Sequence, residues 1–214
     1  MRRASLYRGL MSTALASTPL LTFEEYLAFE VTSAVRHEYH QGVLVMMGTG
    51  CSRPHEVVVG NTFAAIRRHL GDGAPCQVYL SGLGVRVEAA DASYYPDLHV
   101  TGDPRDHEAE RVSVYPSVII EVLSNSTRDY DFGTKLADFK LISSLQEYVL
   151  IDSEAQGATV HRRLGTKRWE NVDLSPGDTL EFRTLRFSMS FADIYLNSRV
   201  PFPRPRPRLV PDPE

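Results

Sequence analysis

Glu121 stands in the middle of an apolar run made of Val118, Ile119, Ile120, Val122 and Leu123. An ionised carboxylate without a partner in a protein interior is very costly, so this one must be paired, protonated or bound to a cation. Upstream, Tyr95-Pro96-Asp97-Leu98 sets a second carboxylate directly after a proline. Proline is tolerated at the first position of a strand, which would fix Asp97 at the mouth of a sheet. Two carboxylates brought together raise each other's pKa unless a cation lies between them. Two such ligands, completed by water and a substrate phosphate, describe a magnesium site. Lys135 follows near the start of the next helix, and its long stem can carry the ammonium back over the strand ends. Each residue also has a plainer reading. Asp97 can close a turn onto its own backbone. Glu121 can meet solvent or an arginine near a strand end. Lys135 can pair with Asp131, one helical turn away, on a solvated face.

The rest of the chain must supply the elements that position these groups. Thr22 and Glu25 form a capping box ahead of a short helix through Phe29. HEYHQGVLVMM is a hairpin that turns at Gln41-Gly42. A longer helix runs from about Pro54 to Leu70, with Ser52 as its cap, Gly71 as its stop, and Val58, Thr62, Ala65, Ile66 and Leu70 on one face. QVYLS, GVRVE and PDLHVT are strands, with a polar break over residues 89–93. The charged loop GDPRDHEAER precedes SVIIEVL. A helix over about residues 133–144 points Leu136, Phe139 and Leu141 inward and leads to the strand EYVLID. A strand, a helix and a strand in that order favour a right-handed parallel crossover. ATVHRR and the Trp169 region continue as a hairpin, and SFADIYLN is a closing helix capped by Ser190. The pattern predicts one mixed α/β domain over residues 21–200. A loose extension over 1–20 precedes it, and a disordered Pro/Arg tail over 201–214 follows.

Bulk properties narrow the function classes. The 214-residue chain carries a net charge of -4, so its surface as a whole is not a nucleic-acid magnet, and any such contact must be local. Cys51 and Cys76 form no CxxC and no zinc spacing, and they read as reduced thiols of a cytoplasmic protein. No apolar run is long enough to span a bilayer. Arg8 and the serines of MRRASLYRGLMSTALAS break any signal-peptide core, and Met11 is an alternative start. His37 and His40 would face opposite sides of a strand and read as structural. The basic stretch His161, Arg162, Arg163, Lys167 and Arg168 reads as a solvated hairpin face, with phosphate contact as the alternative.

Pro96-Asp97, then Glu121, then a lysine resembles the PD-(D/E)XK nuclease motif. The usual lysine lies two residues after the acid, and that position is Leu123 here. The longer stretches PDLHV, PSVIIEVLSNSTRDYDFGTKLADF and EYVLID resemble the Uma-two family of restriction-endonuclease-like proteins. In that family the lysine has moved from the strand to the following helix, matching Lys135. TFEEYL and HEYHQGVLVMMGTGCSRPHEVVVGNTFAAIRRHL fit as well, with an acid before the hairpin turn matching Glu38 and a histidine at the helix start matching His55. The resemblance covers about residues 20–196. It implies an α/β, restriction-endonuclease-like core: a central mixed β-sheet flanked by helices, with an extra N-terminal hairpin and C-terminal β additions. It further implies that Asp97 and Glu121 bind Mg2+ or Mn2+, that Lys135 is the third catalytic group, and that DNA is the substrate of phosphodiester hydrolysis. A homodimer is one way to cut both strands. Glu38, His55 and Asp131 are supporting candidates: Glu38 as a further acid or a strand-face charge, His55 as a phosphate contact or a structural hydrogen-bonder, Asp131 as a helix cap, a lysine partner or an extra ligand. Leu123 and the acidic net charge keep open a nuclease-fold module that binds nucleic acid or protein without turnover.

Overall fold

The computed structural model describes residues 20–48 and 51–203. The expected N-terminal extension, apart from Leu20, and most of the expected Pro/Arg tail lie outside the described residues. The chain divides into two compact units, one ending at Met47 and the other beginning at Gly48.

In the first unit, helix α1 (Phe23–Thr32) opens on the expected capping box, with the Thr22 side chain accepting from Glu25 N and the Glu25 carboxylate accepting from Thr22 N. Strands β1 (His37–His40) and β2 (Val43–Met46) pair antiparallel. Their two-residue turn has positive φ at both Gln41 (50°) and Gly42 (82°), the twist that antiparallel hairpins favour. Tyr26 and Tyr39 stack in this unit's interior, ring centres 5.2 Å apart. Their hydroxyls donate to the carbonyls of His37 and Leu21 respectively.

The second unit begins with α2 (Arg53–Leu70), capped by Ser52, whose side chain accepts from His55 N. Strands β3 (Gln77–Leu80), β4 (Gly84–Val87), β5 (Ala92–Tyr94) and β6 (Leu98–Thr101) follow. A short helix α3 (Pro104–His107) and strand β7 (Val112–Ser113) lead into β8 (Val118–Leu123). Helix α4 spans residues 128–139 and includes a π turn over Asp131–Lys135. Next come β9 (Glu147–Asp152), β10 (Ala158–Arg163), β11 (Trp169–Leu174), β12 (Thr179–Phe182) and β13 (Phe187–Ser190). The short helix α5 (Phe191–Ile194) ends the series, capped by Ser190 as the sequence predicts.

The main sheet has six strands in the order β11-β10-β9-β8-β6-β3. Its one parallel pair is β8 with β9, joined through α4, and its other pairs are antiparallel. This is the mixed sheet flanked by helices that the sequence implies. Both faces of β8 are covered. Val118, Ile120 and Val122 join the cluster that includes Val58 and Ile66 of α2. Ile119 and Leu123 join the cluster that includes Tyr94 and Phe139. Side chains alternate along a strand, so Glu121 shares the second face.

Two expectations are corrected. The polar break expected over residues 89–93 is shorter, because the tight turn ends at Asp91 (φ 48°) and Ala92 and Ser93 already belong to β5, a strand the sequence reading lacks. The helix before β9 starts and ends earlier than predicted. Arg128 in its first turn is paired with Asp152 at the end of β9, which anchors the start. The helix stops at Phe139, and the turn that follows leaves Leu141 exposed rather than inward.

Candidate active site

The site lies where β6 begins and β8 runs past it. Leu98 pairs with Ile120 across the two strands, which brings Asp97, one residue before β6, beside Glu121. Asp97 N donates to Glu121 Oε2 (3.1 Å), and Val122 N donates to Asp97 Oδ2 (2.7 Å). The two carboxylates are thus fixed by the backbone of each other's strand. His55, in the first turn of α2, sets Nε2 3.2 Å from Asp97 Oδ2. From the opposite direction α4 delivers Lys135, whose Nζ lies 3.0 Å from Glu121 Oε1 and 3.4 Å from Asp131 Oδ1. The π turn that carries Asp131 and Lys135 widens the helix locally, a distortion often found at functional sites.

The predicted residues therefore meet: Asp97, Glu121, Lys135, His55 and Asp131 form one connected set. Asp131 is not a helix cap, since α4 already begins at Arg128. It pairs with Lys135, but in a buried place and not on a solvated face. Glu38 belongs to the first unit, where it is buried on β1 opposite Val45. The basic stretch is not one solvated face: Lys167 and Arg168 are exposed, but the residues before them turn inward. His161 and Arg162 are buried, Arg162 pairs with Glu147, and Arg163 donates to the carbonyls of Lys140, Ile142 and Leu145. Two aromatic neighbours escaped the sequence reading. Lys135 Nζ lies 5.8 Å from the ring centre of Tyr94 and 5.5 Å from that of Tyr130, close enough for attraction to the ring faces. The only signal for Tyr94 is its place just ahead of Tyr95-Pro96-Asp97.

Electrostatics favour an added cation. Glu121 is 4% exposed, and burial pushes its carboxyl well above the usual carboxylate range. Lys135 opposes that shift, while Asp131 and Asp97 add to it. Burial alone would lower the His55 pKa, but the hydrogen bond and charge of Asp97 leave it raised above 6.5. Asp97, Asp131 and Lys135 all act on Glu121, and a carboxylate keeps acceptor sites free after two hydrogen bonds. Asp97 and Glu121 thus suit a hard divalent cation.

These shifts have a sign that can be tested with chelator present. Glu121 binds its proton more tightly in the folded protein than in the unfolded chain, where the ordinary value is 4.5, so this contribution is lost as pH rises through the raised folded value. His55 acts the same way: its contribution is complete below 6.5 and lost as pH rises through its raised folded value. Urea midpoints measured from roughly pH 5 to 8 should fall more steeply for the wild type than for Glu121→Gln. Parallel curves would remove Glu121 as the source.

A mixed sheet with carboxylates and a lysine gathered beside its central parallel pair defines a restriction-endonuclease-like protein. The Uma2 family pattern, described as "Putative restriction endonuclease", matches residues 23–193, and the chain belongs to that family. Two uncharacterized proteins of Synechocystis sp. are similar to it. One is 32% identical over 180 residues, spanning 84% of this chain and 94% of the relative. The other is 28% identical over 161 residues, spanning 74% and 90%. A crystal structure from Anabaena variabilis, described as a "putative nuclease belonging to DUF820", superposes with a TM-score of 0.66 at 18% identity, covering 82% of this chain and 97% of that one. That likeness establishes the fold. Among the described residues, no helix is long and apolar enough to cross a membrane.

Proposed function

We propose that this protein is a metal-dependent nuclease that hydrolyses phosphodiester bonds of DNA. The supporting observation is that Asp97 and Glu121 sit side by side on facing strands, each bonded to the other strand's backbone, with the Lys135 ammonium 3.0 Å from Glu121. Asp97 and Glu121 would hold Mg2+ or Mn2+; such an ion, when bound, polarises the scissile phosphate and acidifies a bound water. The chain's own groups supply the rest. The strand backbones fix both carboxylates, so little reorganisation is needed as the reaction begins. His55 holds Asp97 in place, and Asp131 holds Lys135 against Glu121. Hydrolysis adds water across a P–O bond and builds negative charge on the phosphate oxygens, which a fixed ammonium at Lys135 offsets.

A second reading has one observation in its favour. Lys135 is held between Glu121 and Asp131 and its side chain is only 8% exposed, as in a site that binds without turning over. Plasmid incubated with Mg2+ or Mn2+ separates the two. The nuclease reading expects metal-stimulated cleavage that Asp97→Ala abolishes. Cleavage undiminished in that variant would sink it, and binding of DNA without cleavage by the wild type would favour the second.

A further inference from the structure

The start of α2 carries a second constellation, on the side of His55 that faces away from Asp97. The ligand atoms of Cys51, His55 and Glu56 all lie within 4.8 Å of one another. His55 Nδ1 is 3.8 Å from Glu56 Oε1 and has no hydrogen-bond partner, although it is out of reach of solvent. An unpaired ring nitrogen in a buried place is costly, and something must make up for it. The other ring nitrogen explains the orientation: Nε2 is engaged by Asp97 Oδ2 at 3.2 Å, which leaves the Nδ1 lone pair aimed at Cys51 and Glu56. Cys51 and Glu56 are exposed, so an ion reaches them directly and both side chains are free to close on it.

We propose that Cys51, His55 Nδ1 and Glu56 form a Zn2+ site, with Asp97 as the carboxylate behind the histidine. The donor set selects the ion. A thiolate with an imidazole suits zinc, whereas magnesium and calcium take oxygen ligands. Zinc commonly takes three protein ligands and a water, with bonds that set its ligand atoms roughly 3.3–3.8 Å apart. Rotation of the exposed Cys51 and Glu56 side chains covers the remaining gap. Binding puts the ring proton on Nε2, where it is donated to Asp97, an arrangement that orients the histidine and strengthens it as a ligand. The thiol proton of Cys51 passes to solvent as the S–Zn bond forms. This site shares no ligand with the carboxylate pair of the proposed nuclease but touches it through Asp97, and the ion at α2 would hold His55 and Asp97 in register. The spacing Cys51, His55, Glu56 matches no common zinc motif, so the sequence alone gives it little weight.

Co2+ is the probe, because a thiolate ligand gives it a charge-transfer absorption in the near ultraviolet. Full-length protein stripped with chelator and titrated with Co2+ should develop this band at one equivalent, and Zn2+ should erase it. Cys51→Ser should lose the band while its circular dichroism is unchanged, and Cys76→Ser should keep it. Asp97→Asn should weaken Zn2+ affinity by about 10–100-fold. Glu121→Gln should keep the band even if it abolishes cleavage, so failure of the nuclease reading leaves this outcome untouched. Absence of the band in the wild type, or its persistence in Cys51→Ser, overturns the proposal.

Discussion

Replacing Lys135 with methionine should lower metal-stimulated cleavage by about 10²–10³-fold, the cost of deleting one preorganised charge that faces the reacting phosphate. The stem keeps its volume, so the space beside Tyr94 and Tyr130 stays filled while the ammonium is lost. Mn2+ binding should persist. Asp97 and Glu121 both remain, and removing a competing cation from Glu121 does not weaken their attraction for an ion. The loss should therefore fall on the chemical step and not on assembly of the site, with kcat reduced and KM little changed. Lys135→Arg should not restore the rate. The planar guanidinium cannot replace a compact ammonium held between two carboxylates in a buried site. Single-turnover cleavage at saturating Mn2+ measures this directly. A rate within about threefold of wild type in Lys135→Met would mean that the lysine only neutralises its neighbours.

How far the sequence could be read depended on the range of the interactions. Thr22 with Glu25, the Gln41-Gly42 turn and the Ser52 cap are local, and each was legible because the residues that make it are neighbours. Asp97 beside Glu121 was legible for a different reason. A carboxylate in a strand buried on both faces has few explanations, and a proline fixed where the neighbouring strand starts. The aim of Lys135 was harder. It depends on the π turn and on Arg128 meeting Asp152, a contact between the start of α4 and the far end of β9. The inward turn of Arg162, which is buried, and of Arg163, which is half-buried, was hidden for the same reason. Their partners are Glu147 and the carbonyls of residues 140, 142 and 145, and a run of basic residues looks the same whether water or backbone oxygen receives its protons. Cys51 fits no zinc spacing, and its place beside the unpaired nitrogen of His55 exists only in the fold.

Glu147 of β9 and Glu121 of β8 are buried carboxylates on neighbouring parallel strands, each next to a cation, and mutation should separate them sharply. Glu147 accepts from Arg162 Nε (3.0 Å), Arg183 N (3.1 Å) and Thr184 N (2.9 Å). Arg162 in turn donates to the carbonyl of Glu181, so the pair ties the start of β9 to β10 and to the end of β12. Glu147→Ala leaves the buried guanidinium uncompensated and frees two backbone donors. Its expected cost is about 3–5 kcal/mol. Glu121 is different, because burial and the charges of Asp131 and Asp97 work against its ionised form despite Lys135. Glu121→Gln keeps the shape and removes a charge that the fold does not favour, so with chelator present its stability should equal or exceed that of the wild type. The same change should abolish Mn2+ binding, the trade expected where function works against stability. Urea unfolding of the three proteins in chelator decides the matter. A loss in Glu121→Gln as large as that in Glu147→Ala would make Glu121 a structural partner of Lys135 and take it out of the proposed metal site.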